Sequence, residues 1–497
     1  MRVLYSITFL GLILGLACSS GEKVCTNHQS CDLSTQRCLR GLDSKEDYQC
    51  RKHCKLESAA KDCGADMQCV QADCVTPDQG CWGICSPKKV QGCQPACKAE
   101  EVCKDNACVP KTTDACPKTK VRPEARVDVA GIFDTKRRRM VWFGGDFIAP
   151  IGCKGDSHPV NLEELWYYDL KCGAFQKVEQ VRAPQGRARA TAVYDEAGDR
   201  MLLFGGFFSK SATGFINNLQ DLWSLDLKTF KWTEIKVEGT KPSPRNGAVG
   251  VYDEKAKEFV VFGGSTGKQW SYPEANNELW IFSSAAKTWK KLELKGDVPK
   301  ARSFHAMTYD PKNQLIYLYG GGDKQAHSYV GDLWVLDRKK GTWSVLHAGD
   351  KGAPPGRLWP SLFYDPFAHR LLMFGGFDGQ IIHNRNDTWA FDLKTKTWKA
   401  LIKPPEVKRP QGSFCNFPPG FTENLHAPER RSGQLAVFDK VRREWILFGG
   451  KSDCGVLDDL WTFAVGQDKW SKVLGARKGE TCMRVKEPAT CFSLCGK

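Results

Sequence analysis

No apolar run in this 497-residue chain reaches the roughly 20 residues that a membrane-crossing helix needs. The longest, Val3 to Ala17, stops at 15. A multi-span transporter or channel is thereby excluded. Histidine is scarce, nine in all, and no Walker, HExxH or Ser-His-Asp arrangement is visible. Acidic residues are in deficit, with 57 against 72 Lys and Arg. The imbalance lies in the C-terminal part: residues 19 to 117 carry 13 basic and 14 acidic groups, residues 118 to 497 carry 58 and 43. The basic residues are scattered through turns such as Lys136 to Arg139 and Arg338 to Lys340, without an RNA or DNA motif, so no specific nucleic-acid partner is expected.

Cysteine, by contrast, is abundant at 23, too many for a reducing cytosol. The apolar run follows Arg2 and ends Leu14-Gly15-Leu16-Ala17-Cys18, which reads as a secretory signal with a small-residue cleavage site. The same ending resembles the lipobox of bacterial lipoproteins, although Gly15 stands where that box usually has Leu. The resemblance implies cleavage after Ala17 and lipidation of Cys18, and removing Cys18 leaves an even 22 thiols. Ordinary cleavage after Ala17 is the alternative. The expectation is an exported protein on a bacterial outer membrane or cell surface, held by a lipid anchor, or otherwise secreted.

Fifteen cysteines fall between Cys25 and Cys116, with few large aliphatic residues among them, so disulfides must replace a core there. The unit C-x5-C-x4-C-V occurs at Cys63 and again at Cys97. It resembles the short cysteine-rich modules behind the anchor of some surface lipoproteins. Residues 117 to 497 hold seven more cysteines. Both counts are odd, so full pairing requires at least one bridge between the regions. Expected staples are Cys415 to Cys454, with Cys116 meeting one of Cys482, Cys491 and Cys495; Cys153 and Cys172 lie in the first repeat.

Self-comparison of residues 118 to 475 shows six repeats. Arg126, Arg187, Arg245, Arg302, Arg357 and Arg431 are each followed eight residues later by Asp, and ten residues after that by Gly-Gly. Each repeat then carries Leu-Trp or Thr-Trp and a second aromatic nine residues beyond that Trp. The runs between these marks are short and strand-like, four per repeat. The glycine pairs and paired aromatics resemble the kelch family. That resemblance implies a six-bladed β-propeller, so the expected fold class is all-β, a six-bladed kelch-type β-propeller preceded by a small disulfide-rich segment. The chain thus divides into a signal peptide (1–17), an anchor site and cysteine-rich segment (18–117), the propeller (118–475) and a cysteine-containing tail (476–497).

Calling the strands of a blade a to d in chain order, the constant spacings fall on the face of the a–b and c–d turns. The b–c and d–a connections on the other face vary from blade to blade, the longest running from about Pro404 to Glu429. Binding surfaces are built where a constant scaffold carries variable loops. The six arginines stand at the start of strand a, where two readings compete: a ring of guanidinium groups attracting an anion, or scaffold arginines each paired with a carboxylate of its own or a neighbouring blade. Trp270, Trp359, Phe207, Phe208, Tyr329 and Phe377 belong to the same face, and the Arg and aromatic mixture fits a protein or glycan partner. Arg357→Ala or Trp359→Ala is expected to weaken binding and leave the ring folded. His305, three residues after Arg302, reads as structural. No cofactor, metal or catalytic residue is expected; the alternative is an enzyme related to the galactose-oxidase-like copper oxidases, although His158, His327 and His383 in the b–c loops stand without the matching tyrosine and cysteine set.

Overall fold

The computed structural model describes residues 116, 121–147, 160–209, 216–267, 274–294, 296–322, 329–379, 384–403, 426–452 and 455–476, and short strands before residue 111. The chain divides into two compact units, Met1–Ala115 and Cys116–Lys497. In the first, Tyr48–Lys55 and Cys81–Pro87 pair at the centre of a five-stranded sheet, and Glu101–Lys104 forms a hairpin with Ala107–Pro110. Cys18, Trp270, His158, His327, His383, Cys153, Cys415, Cys454 and the tail cysteines lie outside the described residues.

The second unit is a propeller of six four-stranded antiparallel sheets, each meandering in chain order, with a small two-stranded hairpin between the second and third strands of blades 1 and 2. The innermost strands are Ala130–Asp134, Thr191–Asp195, Val249–Asp253, Ala306–Asp310, Ser361–Asp365 and Leu435–Asp439. Alternating apolar residues are not needed in strand b, because each blade is covered on both faces by its neighbours. Met140 to Phe143, Met201 to Phe204 and Leu371 to Phe374 are accordingly continuous apolar runs, buried throughout. The residue before each Gly-Gly packs on the strand-d aromatic of the next blade. Phe143 meets Trp232, Phe204 meets Trp289, Phe262 meets Trp343, Tyr319 meets Trp398, Phe374 meets Trp470 and Phe448 meets Phe175, with ring centroids 4.8–5.5 Å apart. Six aromatic contacts therefore glue six seams, including the one that joins the last blade to the first.

The repeat's polar marks have equally definite uses. Each Asp ending strand a accepts backbone N–H groups of the a–b turn, as Asp253 does from Lys255 and Ala256 at 3.1 Å, closing the turn that reverses the chain. In each Gly-Gly, the second glycine donates its N–H to the carbonyl of the next blade's repeated arginine, from Gly145 to Arg187 around to Gly450 and Arg126. Both glycines have φ between +63° and +101°. A Cβ on Gly205 would lie 2.8 Å from the Arg245 carbonyl oxygen. Gly205→Ala is therefore expected to cost about 3 kcal/mol, from left-handed backbone strain and a widened seam together, measured by urea denaturation.

The sixth seam closes without strand exchange, since blade 6 is made of residues Leu435 to Leu474 alone. Arg138 binds Asp439 and Arg122 binds the buried Asp458 across it. A disulfide joins Cys116 to Cys172, in the c–d turn of the first blade, with Cα atoms 5.3 Å apart. This corrects the expectation that Cys116 meets a tail cysteine, because Cys116 lies beside that blade's own outer turn. It is a bridge between the two odd-numbered groups of cysteines.

Candidate functional site at the channel mouth

The six repeated arginines are inside the wall. All are 0–1% exposed. Each Nε donates to the carbonyl two residues earlier at 2.9–3.1 Å. Each guanidinium also grips a carboxylate of its own blade at 2.5–2.8 Å: Glu164, Asp221, Glu278, Asp332, Asp387 and Asp459 respectively. The same carboxylates accept the indole N–H of the tryptophan two residues on, at 2.6–3.1 Å. The pairing reading of these arginines thus describes their geometry. Sequence inspection missed the acid two residues before each first Trp, although it too recurs six times.

These networks set protonation. Burial works against the Glu164 carboxylate, but hydrogen bonds from Lys177, Arg126 and Trp166 outweigh it and hold the pKa down to about 2. Glu278, opposed in the same way, is held at about 2 by Lys291, Arg245 and Trp280. Their contribution to stability is complete above the ordinary value of 4.5 and is lost as pH falls toward 2. His305 behaves in the opposite sense. Burial, reinforced by the Arg302 guanidinium, keeps its imidazole neutral well below the ordinary 6.5. Under pH 6.5 the unfolded chain takes up a proton that the folded chain refuses, so stability falls as pH falls. His305→Asn is expected to flatten the stability profile between pH 6.5 and 5 by up to about 1.4 kcal/mol per pH unit, read from urea midpoints.

What surrounds the channel mouth is the residue two positions after each arginine: Asp128, Arg189, Gly247, Phe304, Trp359 and Gly433. All six have left-handed backbone, with φ between +50° and +64°. Their peptides run head to tail around the axis. Asp128 donates its N–H to the Gly433 carbonyl, Arg189 to Asp128, Gly247 to Arg189, Phe304 to Gly247 and Trp359 to Phe304, at 2.7–3.0 Å. Left-handed backbone disfavours side chains, and four of the six carry them.

Those four side chains form one cluster. The Arg189 guanidinium donates to Asp128 at 2.9 Å and lies 4.9 Å from the centre of Phe304, 5.3 Å from Trp359 and 5.3 Å from Phe207. Phe304 and Trp359 stack at 4.3 Å. The two glycines make room for this: a Cβ on Gly247 would sit 2.3 Å from the Phe304 ring, and one on Gly433 would sit 2.7 Å from Asp128 Oδ1. Lys451 stands beside the cluster, its pKa pushed down by burial and by Arg189 while Asp128 and Asp146 oppose the shift. Behind the mouth is a cavity of about 250 Å³ lined largely by small strand-a residues such as Ala130, Ala192 and Gly250.

Farther out on the same face, Tyr329 meets Phe377 edge to face at 6.0 Å, and Arg385 binds Asp378 at 2.6 Å. Phe207 is buried beneath Arg189, whereas Phe208, Tyr329, Phe377 and Trp359 are half-buried. Of the sequence-derived candidates, Trp359 stands in the mouth cluster. Asp128, Arg189, Phe304 and Lys451 were missed. The available signal was a position reading Asp, Arg, Gly, Phe, Trp, Gly inside an otherwise constant repeat.

The sequence matches the model of the KLHDC2/KLHL20/DRC7 Kelch-repeats domain over residues 135–365 and 313–494. It is 29% identical over 212 residues to tip elongation aberrant protein 1 of Schizosaccharomyces pombe, 42% of this chain and 17% of that protein. It is 28% identical to leucine-zipper-like transcriptional regulator 1 of Pongo abelii over 63% of this chain and 34% of the relative. With an F-box/kelch-repeat protein of Arabidopsis thaliana it shares 26% identity over 63% of this chain and 64% of the relative. The chain thus spans between a sixth and two-thirds of the length of these relatives.

Proposed function

The chain belongs to the kelch-repeat family, and on that premise we propose that its propeller binds a protein partner on the variable face, centred on Arg189, Phe304 and Trp359. The observation that carries this reading is the ring of left-handed backbone holding side chains at the channel mouth. Strain of this kind costs of order 1–3 kcal/mol per residue and gathers at ligand clamps. Arg and Trp are the side chains that dominate protein interfaces, and here they are fixed in place before a partner arrives, which lowers the entropy lost on binding. Asp128 and Lys451 add charge of both signs, which sets orientation more than affinity. The test is affinity capture with the whole chain, comparing the wild type with Arg189→Ala. Loss of a partner from the variant supports the reading; equal recovery, or capture of glycan by both proteins with no protein, removes it.

We also propose that the protein acts outside the cytoplasm, anchored through lipid on Cys18, with residues 18 to 117 as a disulfide-stabilised stalk. Support comes from the Val3–Ala17 run, the Leu-Gly-Leu-Ala-Cys ending and the odd cysteine count. Acyl chains would supply about 0.8 kcal/mol per buried methylene, enough for surface attachment with no transmembrane helix. Radiolabelled palmitate entering the wild type but not Cys18→Ser is the expected result.

A further inference from the structure

The face opposite the partner site has its own asymmetry. Its inner rim is made by the a–b turns, and in blades 6 and 1 these turns, residues 440–443 and 135–138, contain six cations and no acid. Arg137 is held by Asp199 and Arg138 by Asp439. Lys440 and Arg442 approach Glu196 and Glu444 at 3.9 Å, and their side chains are 67% and 50% exposed. The neighbouring a–b turn of blade 2 holds two acids, Glu196 and Asp199, whereas blade 3 sets Glu254 beside Lys255 and Lys257.

Two large apolar side chains project from the basic side. Val441 is 75% exposed and Phe367, in the adjoining a–b turn of blade 5, is 53% exposed. The Arg443 guanidinium lies 4.0 Å from the centre of the Phe367 ring, so the aromatic and the basic turn are one patch. Lys394 and Lys396, in the c–d turn of blade 5, and Lys171 in that of blade 1 are exposed on the same face.

We propose that this basic rim docks on the surface of an anionic lipid bilayer, with Phe367 and Val441 entering the headgroup layer and Lys440, Arg442 and Arg443 meeting lipid phosphates. Cations alone fit any polyanion. Apolar side chains standing out of a basic patch fit an interface that is charged outside and apolar beneath. The docking leaves the variable face free and does not depend on the partner site or on lipidation.

The experiment is cosedimentation of full-length Cys18→Ser protein, which lacks the acylation site, with vesicles of phosphatidylcholine alone or mixed with phosphatidylglycerol. Binding is expected to the mixed vesicles only, and to weaken with salt. Phe367→Ser/Val441→Ser and Lys440→Glu/Arg442→Glu are each expected to lower partitioning about tenfold or more, at unchanged melting temperature. Equal binding to neutral vesicles, no binding to anionic ones, or full binding by either double variant would overturn the proposal. So would binding to heparin that is lost in the charge variant while no vesicle sediments the wild type, which would assign the patch to soluble polyanions.

Discussion

Arg357→Ala is expected to destabilise the propeller by about 3–5 kcal/mol, read from urea denaturation. Both Arg357 and its partner Asp387 are fully enclosed, with guanidinium and carboxylate joined by two hydrogen bonds of 2.6 and 3.0 Å. The arginine also ties the carbonyls of Pro355 and Gly375. Removing it strands a buried carboxylate and two carbonyls. Burial pushes the Asp387 pKa up, and the charge and hydrogen bonds of Arg357 overcome that and bring it below the ordinary range. Without the arginine, the upward push is opposed only by the smaller pull of the Arg385 charge and the Trp389 indole N–H, and the variant should gain stability on acidification where the wild type loses it. The double variant Arg357→Met/Asp387→Leu is expected to recover much of the loss, because an apolar pair of similar volume leaves no uncompensated charge. On this account the loss of Arg357 registers first as instability, and weakened binding in an intact ring is not expected from it.

Trp359→Gly should have the opposite profile: partner affinity falls about 100-fold while stability stays within about 1 kcal/mol of wild type. The backbone at Trp359 has φ +50°, the conformation that Gly247 and Gly433 hold at the same place in other blades. Glycine relieves strain there, offsetting the lost stacking on Phe304 and the lost cation contact with Arg189. Isothermal titration with the captured partner and a parallel urea curve separate the two effects. A variant that loses both stability and binding would mean that the cluster is scaffold.

The contrast between these positions explains what the sequence could reveal. Every constant mark of the repeat makes a contact that all blades need: Asp253 closes its turn, Gly205 lets the next arginine's carbonyl approach, Trp289 fills a seam. Such contacts repeat, so self-comparison finds six blades. Arg357 is different in kind. Its charge is visible in the sequence, but its enclosure depends on Asp387, 30 residues away, and on walls supplied by the fold. Arg189 and Phe304 escape repeat analysis because their position is the one that varies. The Cys116–Cys172 bridge was equally hidden, since spacing along the chain carries no record of a 5.3 Å Cα separation.

The most direct measurement places a photocrosslinking amino acid at position 359 in one sample and at position 441, on the opposite face, in another, each in the full-length chain inside its source cells. A discrete protein adduct from position 359, competed by unlabelled wild type and absent at 441, is the expected result. An adduct from 441 with none from 359 would show that the partner engages the constant face, and the mouth of the channel would lose its assigned role.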